Sequence, residues 1–261
     1  RAGIAGLGIM FGAAALTYAV CGFYGMLDDR SPHVMYVWLF LLIGAVCTGV
    51  LAAASITSEK ESRCWPLLLG TTMSDGQILL GKAAGVVGRS LPVWLLLLGH
   101  VVVFAILRYI HPVTIVHVGM LAVYVIVFLT GLGLYFSACF RRSTAAVTAT
   151  IGVAGVIWAV MPLLLLVVLA VAPLRQDLGR RSLAINPLVQ ATVLIEGSTG
   201  AGKAWLAVDE LEYEWPWPQG PSDAGSTTRW MLGSMAFYIL LGLLLAWRAK
   251  KRFRRNIFQP R

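Results

Sequence analysis

The chain has 261 residues, 58% of them hydrophobic and only 13% charged, with a formal net charge of +9. Soluble domains carry about 25% charged residues, so this balance, joined to several long apolar runs, excludes an ordinary water-soluble globule. It predicts an all-α, polytopic membrane protein.

A hydrocarbon core about 30 Å thick takes about 20 apolar residues in helix. Six stretches meet or approach that length, and the predicted spans are 2–27, 34–56, 83–107, 113–140, 145–174 and 230–247. The chain opens on Arg1 and enters the first of them at once, which reads as a piece of a longer protein. Gly8-x-x-x-Gly12 in the first span and Gly81-x-x-x-Gly85 before the third allow close helix approach, to a partner within the chain or across a dimer.

Between spans two and three lies the one polar, turn-rich passage in the first two-thirds of the chain, residues 57–82. A charge cluster (Glu59, Lys60, Glu61, Arg63) is followed by an apolar run, Leu67 to Leu69, and then by the turn signals Thr71, Thr72, Ser74, Asp75 and Gly76. A plain loop has no use for those leucines, or for Trp65, Ile78, Leu79 and Leu80. They predict an element buried against the bilayer surface or another protein. Lys82 and Arg89, seven apart on one helical face, are predicted to snorkel to the interface as anchors.

The residues from 175 to 229 form one long excursion. Asn186-Pro187 before LVQATVLIEG has the pattern of a helix with Asn as cap and Pro at its first position. It is too short to span, so an interfacial or re-entrant helix is predicted. The acidic-aromatic piece Asp209 to Pro218 is expected at the membrane surface with Trp215 and Trp217 at headgroup depth, or as a packed external cap. Gly197 to Lys203 fits the first seven positions of a phosphate-binding loop, but Ala204 stands where the metal-holding hydroxyl belongs. The excursion is also too short for the parallel sheet that mounts such a loop, so a Gly/Ser turn is predicted. Trp230 and Trp247 bracket the last span as interfacial anchors. The basic tail, 248–261, is read as a topological and anionic-lipid contact, too short to form a nucleic-acid reader.

Charges set the orientation. The side that carries 57–82 and the tail holds fourteen bases and three acids, against seven bases and nine acids opposite, so it is predicted to be cytoplasmic, with both ends of the chain there. No cofactor or metal is predicted. His111 and His117 do not share a helical face, and His100 in the third span is either a functional group or a histidine bonded to a neighbouring helix. Cys21, Cys47, Cys64 and Cys139 show no metal spacing and none lies in the long excursion, so no disulfide is expected. All twelve acids lie in polar segments, and no HExxH or Ser/His/Asp arrangement occurs. That disfavours an ion-coupled carrier or an intramembrane enzyme.

At Ser58-Glu59-Lys60-Glu61, Leu68-Leu69-Gly70-Thr71-Thr72-Met73-Ser74 and Gly81-Lys82 the chain resembles the membrane subunits of type-2 ABC exporters. Arg63-Cys64 and Pro66 depart from that family's usual Gly-Thr and acidic residue. The resemblance implies six spans, a cytoplasmic coupling helix between spans two and three, and short outer helices before span six. It implies a permease of the bacterial inner membrane, part of a larger permease in tone, that exports a substrate by alternating access. It implies that such a permease works with a second permease subunit, membrane lipid and a separate cytoplasmic ATPase. The contact with that ATPase would fall on Glu59, Lys60, Glu61, Arg63, Thr72, Ser74 and Asp75. A membrane protein of assembly or structural role is the other reading of the same layout.

Overall fold

The computed structural model describes residues 2–62, 73–171, 176–200, 202–216 and 220–253. Within them all extended regular structure is helical: α1 (Ala2–Phe23), α2 (Arg30–Glu61), α3 (Asp75–Ile106), α4 (Val113–Cys139), α5 (Ser143–Gly155), α6 (Met161–Val171), α7 (Gln176–Ala184), α8 (Pro187–Ser198) and α9 (Ala224–Arg252). A π turn, Val156–Val160, joins α5 to α6, so the two run on as one rod. Five helices are long and apolar enough to cross a bilayer: α2, α3, α4, the α5–α6 rod over Ser143–Val168, and α9. In α1 the apolar part that meets the description, Gly12–Phe23, is shorter than that.

Several boundaries differ from the sequence expectation. Helix α2 runs on through Glu61 and α3 begins at Asp75, so the two described flanks of 57–82 are the ends of long helices and not a separate piece. The reason for the early start of α3 is chemical. Ser74 and Gln77 form a reciprocal capping box, the Ser74 hydroxyl accepting from the Gln77 amide and the Gln77 side chain accepting from the Ser74 amide. Likewise α9 starts at Ala224 because the Asp223 carboxylate accepts from the Ser226 amide (3.2 Å) and hydroxyl. Those two bonds hold the Asp223 carboxyl below the usual carboxylate range. Residues 63–72, including Arg63, Cys64, Leu67 to Leu69 and Thr72, lie outside the described residues.

Helix α4 is the hub, packed against α2, α3, α5, α8 and α9. Glycine makes this possible: a Cβ on Gly131 would overlap the backbone of Gly242 in α9, and one on Gly133 would overlap Ala52 and the Ala53 amide in α2. Small residues at such crossings let backbones touch where no hydrophobic force between helices exists in lipid. The small face of α2 continues with Gly44, where an added Cβ would meet the Trp94 ring of α3 at 3.0 Å. Trp94 Nε1 then donates to Thr48 Oγ1 at 3.0 Å, satisfying its one donor in a fully buried place. By contrast, a Cβ on Gly8, Gly12, Gly81 or Gly85 meets nothing within 4 Å. Neither of the two Gly-x-x-x-Gly pairs has a partner among the described residues.

The π turn has a local cause. Pro162 has no amide hydrogen to give the carbonyl of Trp158, four residues earlier. Asn186 Nδ2 donates to that carbonyl at 2.7 Å instead, and the same side chain's oxygen caps α8 through the Leu188 amide. Gln190 extends the network, accepting from the Tyr124 hydroxyl at 2.6 Å and donating to Ala184 O and Ser234 Oγ, each at 2.9 Å. Thus α8 is not a free interfacial helix: polar side chains stitch it into the bundle, with its Gln190 fully buried.

Over α8 folds the rest of the excursion. From Glu210 to Trp215 exposed glutamates alternate with Leu211, Tyr213 and Trp215, all buried, the period-two pattern of extended chain. The segment is therefore a packed cap with Trp215 buried inside it; Trp217 lies outside the described residues. The Tyr213 ring occupies the space where a side chain on Gly197 would be, and burial pushes its phenol up to about 12. Lys203 Nζ donates to the carbonyls of Gly197 (3.3 Å) and Glu196 (3.4 Å) at the end of α8. The glycine-rich run is thus a helix stop.

Candidate functional site

The end of the bundle opposite that cap gathers a second set of charged residues, among them Glu59, Lys60, Glu61, Lys82 and Lys250. The C-termini of α2, α4 and α9 meet the N-termini of α3 and α5, and a compact apolar cluster (Ile56, Ile78, Leu79, Leu134, Ala138, Ala249 and Phe253) seals them beneath the surface. Phe253 is only 2% exposed, so the start of the basic tail packs into the fold. Leu80, in contrast, points outward at 72% exposure, so only two of the three residues Ile78 to Leu80 serve as anchors.

Glu59, Lys60 and Glu61 each reach a different helix. Glu59 pairs with Lys82 of α3, both side chains roughly three-quarters buried. Lys60 Nζ donates to three carbonyls at the end of α4: Ser137 (2.8 Å), Ala138 (2.9 Å) and Phe140 (2.9 Å). Its charge sits where the helix dipole is negative and the last carbonyls lack partners. Glu61 accepts from the amide and the hydroxyl of Ser143, each at 2.8 Å, and so covers the positive start of α5. Ser137 Oγ, in turn, accepts from the amides of Ile56 (2.9 Å) and Thr57 (3.1 Å). Three adjacent residues therefore clamp α2 to α3, α4 and α5.

Beside the clamp, between α2 and α3, lies a cavity of about 530 Å³ whose lining joins Leu51, Ala54 and Val86 to Ser58, Lys82 and Arg89. Lys82 is thus held in an ion pair, and Arg89 faces this cavity. Ser74 is exposed at the start of α3, and Asp75 half-buried in its first turn. Arg63 and Thr72 fall outside the described residues. At the last helix, Trp247 is 48% exposed with Lys251 Nζ 3.6 Å above its ring, whereas Trp230 is half-buried and donates to Ala184 O at 3.1 Å. Two contributors escaped the sequence reading, Ser137 and Ser143. Ser143 directly after Arg141-Arg142 carries a helix-start signal, but a lone Ser137 inside an apolar run carries none.

His33 and His100 lie side by side, ring centroids 5.5 Å apart, with His33 Nε2 bonded to the Leu27 carbonyl at 2.9 Å, whereas His111 and His117 go elsewhere. His111 bonds the Leu206 carbonyl (3.2 Å), His117 the Thr228 hydroxyl (2.8 Å), and His100 the Tyr18 hydroxyl of α1 (2.5 Å). Among the described residues no group of His, Cys, Asp and Glu is arranged to hold a metal ion.

Long apolar helices, a packed cap at one end and a charged helix joint at the other define a multi-pass α-helical membrane protein. The family model described as "ABC-2 family transporter protein" matches residues 4–255, nearly the whole length. The chain belongs to that family and is a membrane subunit of a transporter, not itself catalytic. No curated protein matches it.

Proposed function

We propose that this chain is the permease half of an ATP-driven exporter of the bacterial inner membrane. Helix α1 serves as a sixth span, the charged end faces the cytoplasm, and a second permease subunit and two ATP-hydrolysing subunits complete the assembly. The ATPase contact falls on the joint between α2 and α3, from Glu59 to Asp75, including Arg63 and Thr72. One observation carries this reading: the triplet Glu59-Lys60-Glu61 is bonded to α3, α4 and α5 at once. A push on the joint by a closing ATPase would be shared by four helices, which is what a subunit without ATP chemistry needs.

The test is co-purification. Gentle solubilisation of the tagged chain from its own host is expected to bring down an ATP-hydrolysing subunit. Reversal at the half-buried Asp75 (Asp75→Lys) is expected to release it while the permease still elutes as a single species. An absent ATPase, or one retained at full occupancy by Asp75→Lys, contradicts the assignment of the joint.

A further inference from the structure

The cavity beside the clamp has a wall on each of two spanning helices. Leu51, Ser55 and Ser58 follow one another at i, i+4 and i+7 on α2, and Lys82, Gly85 and Arg89 at i, i+3 and i+7 on α3. One stripe of each helix therefore faces the other across the space. Gly85 has no side chain to fill it, and an added Cβ there meets nothing within 4 Å. The volume, about 530 Å³, lies within the roughly 300–1,000 Å³ common for small-molecule sites.

The charges of the lining select the ligand. Glu59 is already paired with Lys82, so those two cancel. Arg89 has no hydrogen bond or ion pair among the described residues, which leaves the lining one positive charge in surplus. Seven residues beyond Lys82, it stands about 10 Å further from the charged end of α3, on a spanning helix where an unmatched guanidinium is expensive. The Ser58 hydroxyl, also unbonded among the described residues, is a second donor in the same lining. A phosphodiester supplies one negative charge and the oxygens that a guanidinium fork binds in pairs. A zwitterionic head brings its own ammonium and leaves the surplus uncancelled.

The neighbouring surface shows what the phosphate is attached to. Leu51 also lines a wholly apolar groove of about 440 Å³ that runs on along α2 past Val50, Val46 and Leu42. Leu42 and Val46 are about half exposed on this spanning helix, so the groove is open to lipid. From Leu51 to Leu42 the helix rises about 14 Å, about half the depth of the hydrocarbon core, which is the reach of one leaflet's acyl chains.

We infer that the space between α2 and α3 binds one anionic phospholipid, its phosphodiester on Arg89 and Ser58 and an acyl chain in the groove along α2. Basic pockets between spanning helices are suited to such headgroups. The binding is a property of this chain alone and does not depend on the ATPase reading.

The experiment uses the full chain in phosphatidylcholine nanodiscs doped with one of two photoreactive lipids, phosphatidylglycerol or phosphatidylcholine, each with a diazirine in one acyl chain. Labelled peptides are mapped by mass spectrometry. The phosphatidylglycerol probe is expected to label residues 42–51 several-fold more than the phosphatidylcholine probe. Unlabelled phosphatidylglycerol is expected to compete, and glycerol 3-phosphate at the same concentration is not, since it carries the anion without the chains. Arg89→Gln should bring phosphatidylglycerol labelling down to the phosphatidylcholine level while leaving the latter unchanged, and Gly85→Leu, which fills the cavity, should do the same. Lys251→Gln, at an exposed base in the last turn of α9, should leave the preference intact, because the general attraction of the charged end for anionic lipid is spread over many bases. Equal labelling by the two probes, displacement by glycerol 3-phosphate, a preference that survives Arg89→Gln or Gly85→Leu, or one that Lys251→Gln abolishes overturns the proposal.

Discussion

Tyr213 shows how a single side chain holds the cap. Its ring fills the place of a side chain on Gly197, and its hydroxyl is buried without a partner. Burial disfavours the phenolate, so the folded group titrates at about 12 against the ordinary 10.0. The sign follows directly: this contribution to stability is complete below pH 10 and is lost as pH rises through 12. We predict that tyrosinate absorbance of the folded protein gains a late step near pH 12 that Tyr213→Phe removes, and that cleavage of the 199–223 segment by added protease rises with it. A Tyr213 step near pH 10 would mean the ring is in water. This residue was legible in part. The Glu-Leu-Glu-Tyr-Glu-Trp alternation marks extended chain with one apolar side, but only the fold shows that this side turns inward, toward Gly197.

At the scale of elements, spans are read easily and their joints poorly. Apolar runs reveal α2, α3, α4, the α5–α6 rod and α9 because each must be apolar over its full lipid depth. Asn186-Pro187 announces α8 through cap chemistry that is local by nature. The clamp is different, since Lys60 and Glu61 find their partners about eighty positions away in Ser137, Phe140 and Ser143. Their charges read as exposed until α4 and α5 are in place. The π turn fails to show for the same reason: Pro162 signals a break, whereas the Asn186 amide that repairs it comes from a later element. Removing Lys60's three bonds by Lys60→Met should cost about 2 kcal/mol, the scale of charge-assisted hydrogen bonds. It should lower the thermal midpoint and speed amide exchange at 137–143; exchange unchanged there would show that the α4 carbonyls do not rely on it. Helix crossings give a second contrast. Gly131→Ala drives a methyl into the α9 backbone and should cost about 3 kcal/mol or more, while Gly85→Ala, with open space around it, should stay within about 0.5 kcal/mol in the isolated subunit. Comparable losses in detergent unfolding would refute the crossing at Gly131 and Gly242.

Taken whole, the molecule has two differently built ends around one hub. The cap end is fixed by buried hydrogen bonds from Asn186, Gln190 and Trp230. The opposite end is fixed by charges that bridge helix termini. Under the proposed function, the joining of four helices there would turn a local displacement into movement of most of the bundle, because packed helices shift as units rather than deform. The composition forecast the membrane class and the distribution of bases forecast which helix ends gather together. The mechanical link between them depends on contacts that only the folded chain displays. It is tested most directly by the nucleotide-hydrolysis rate of the complex with the proposed ATPase in lipid, comparing the unaltered chain with Lys82→Met, which removes the α2–α3 pair and leaves every proposed ATPase-contact residue in place. The account predicts that the ATPase stays bound while the hydrolysis coupled to the permease falls several-fold. A rate equal to that of the unaltered complex, with the pair removed and assembly intact, would contradict it.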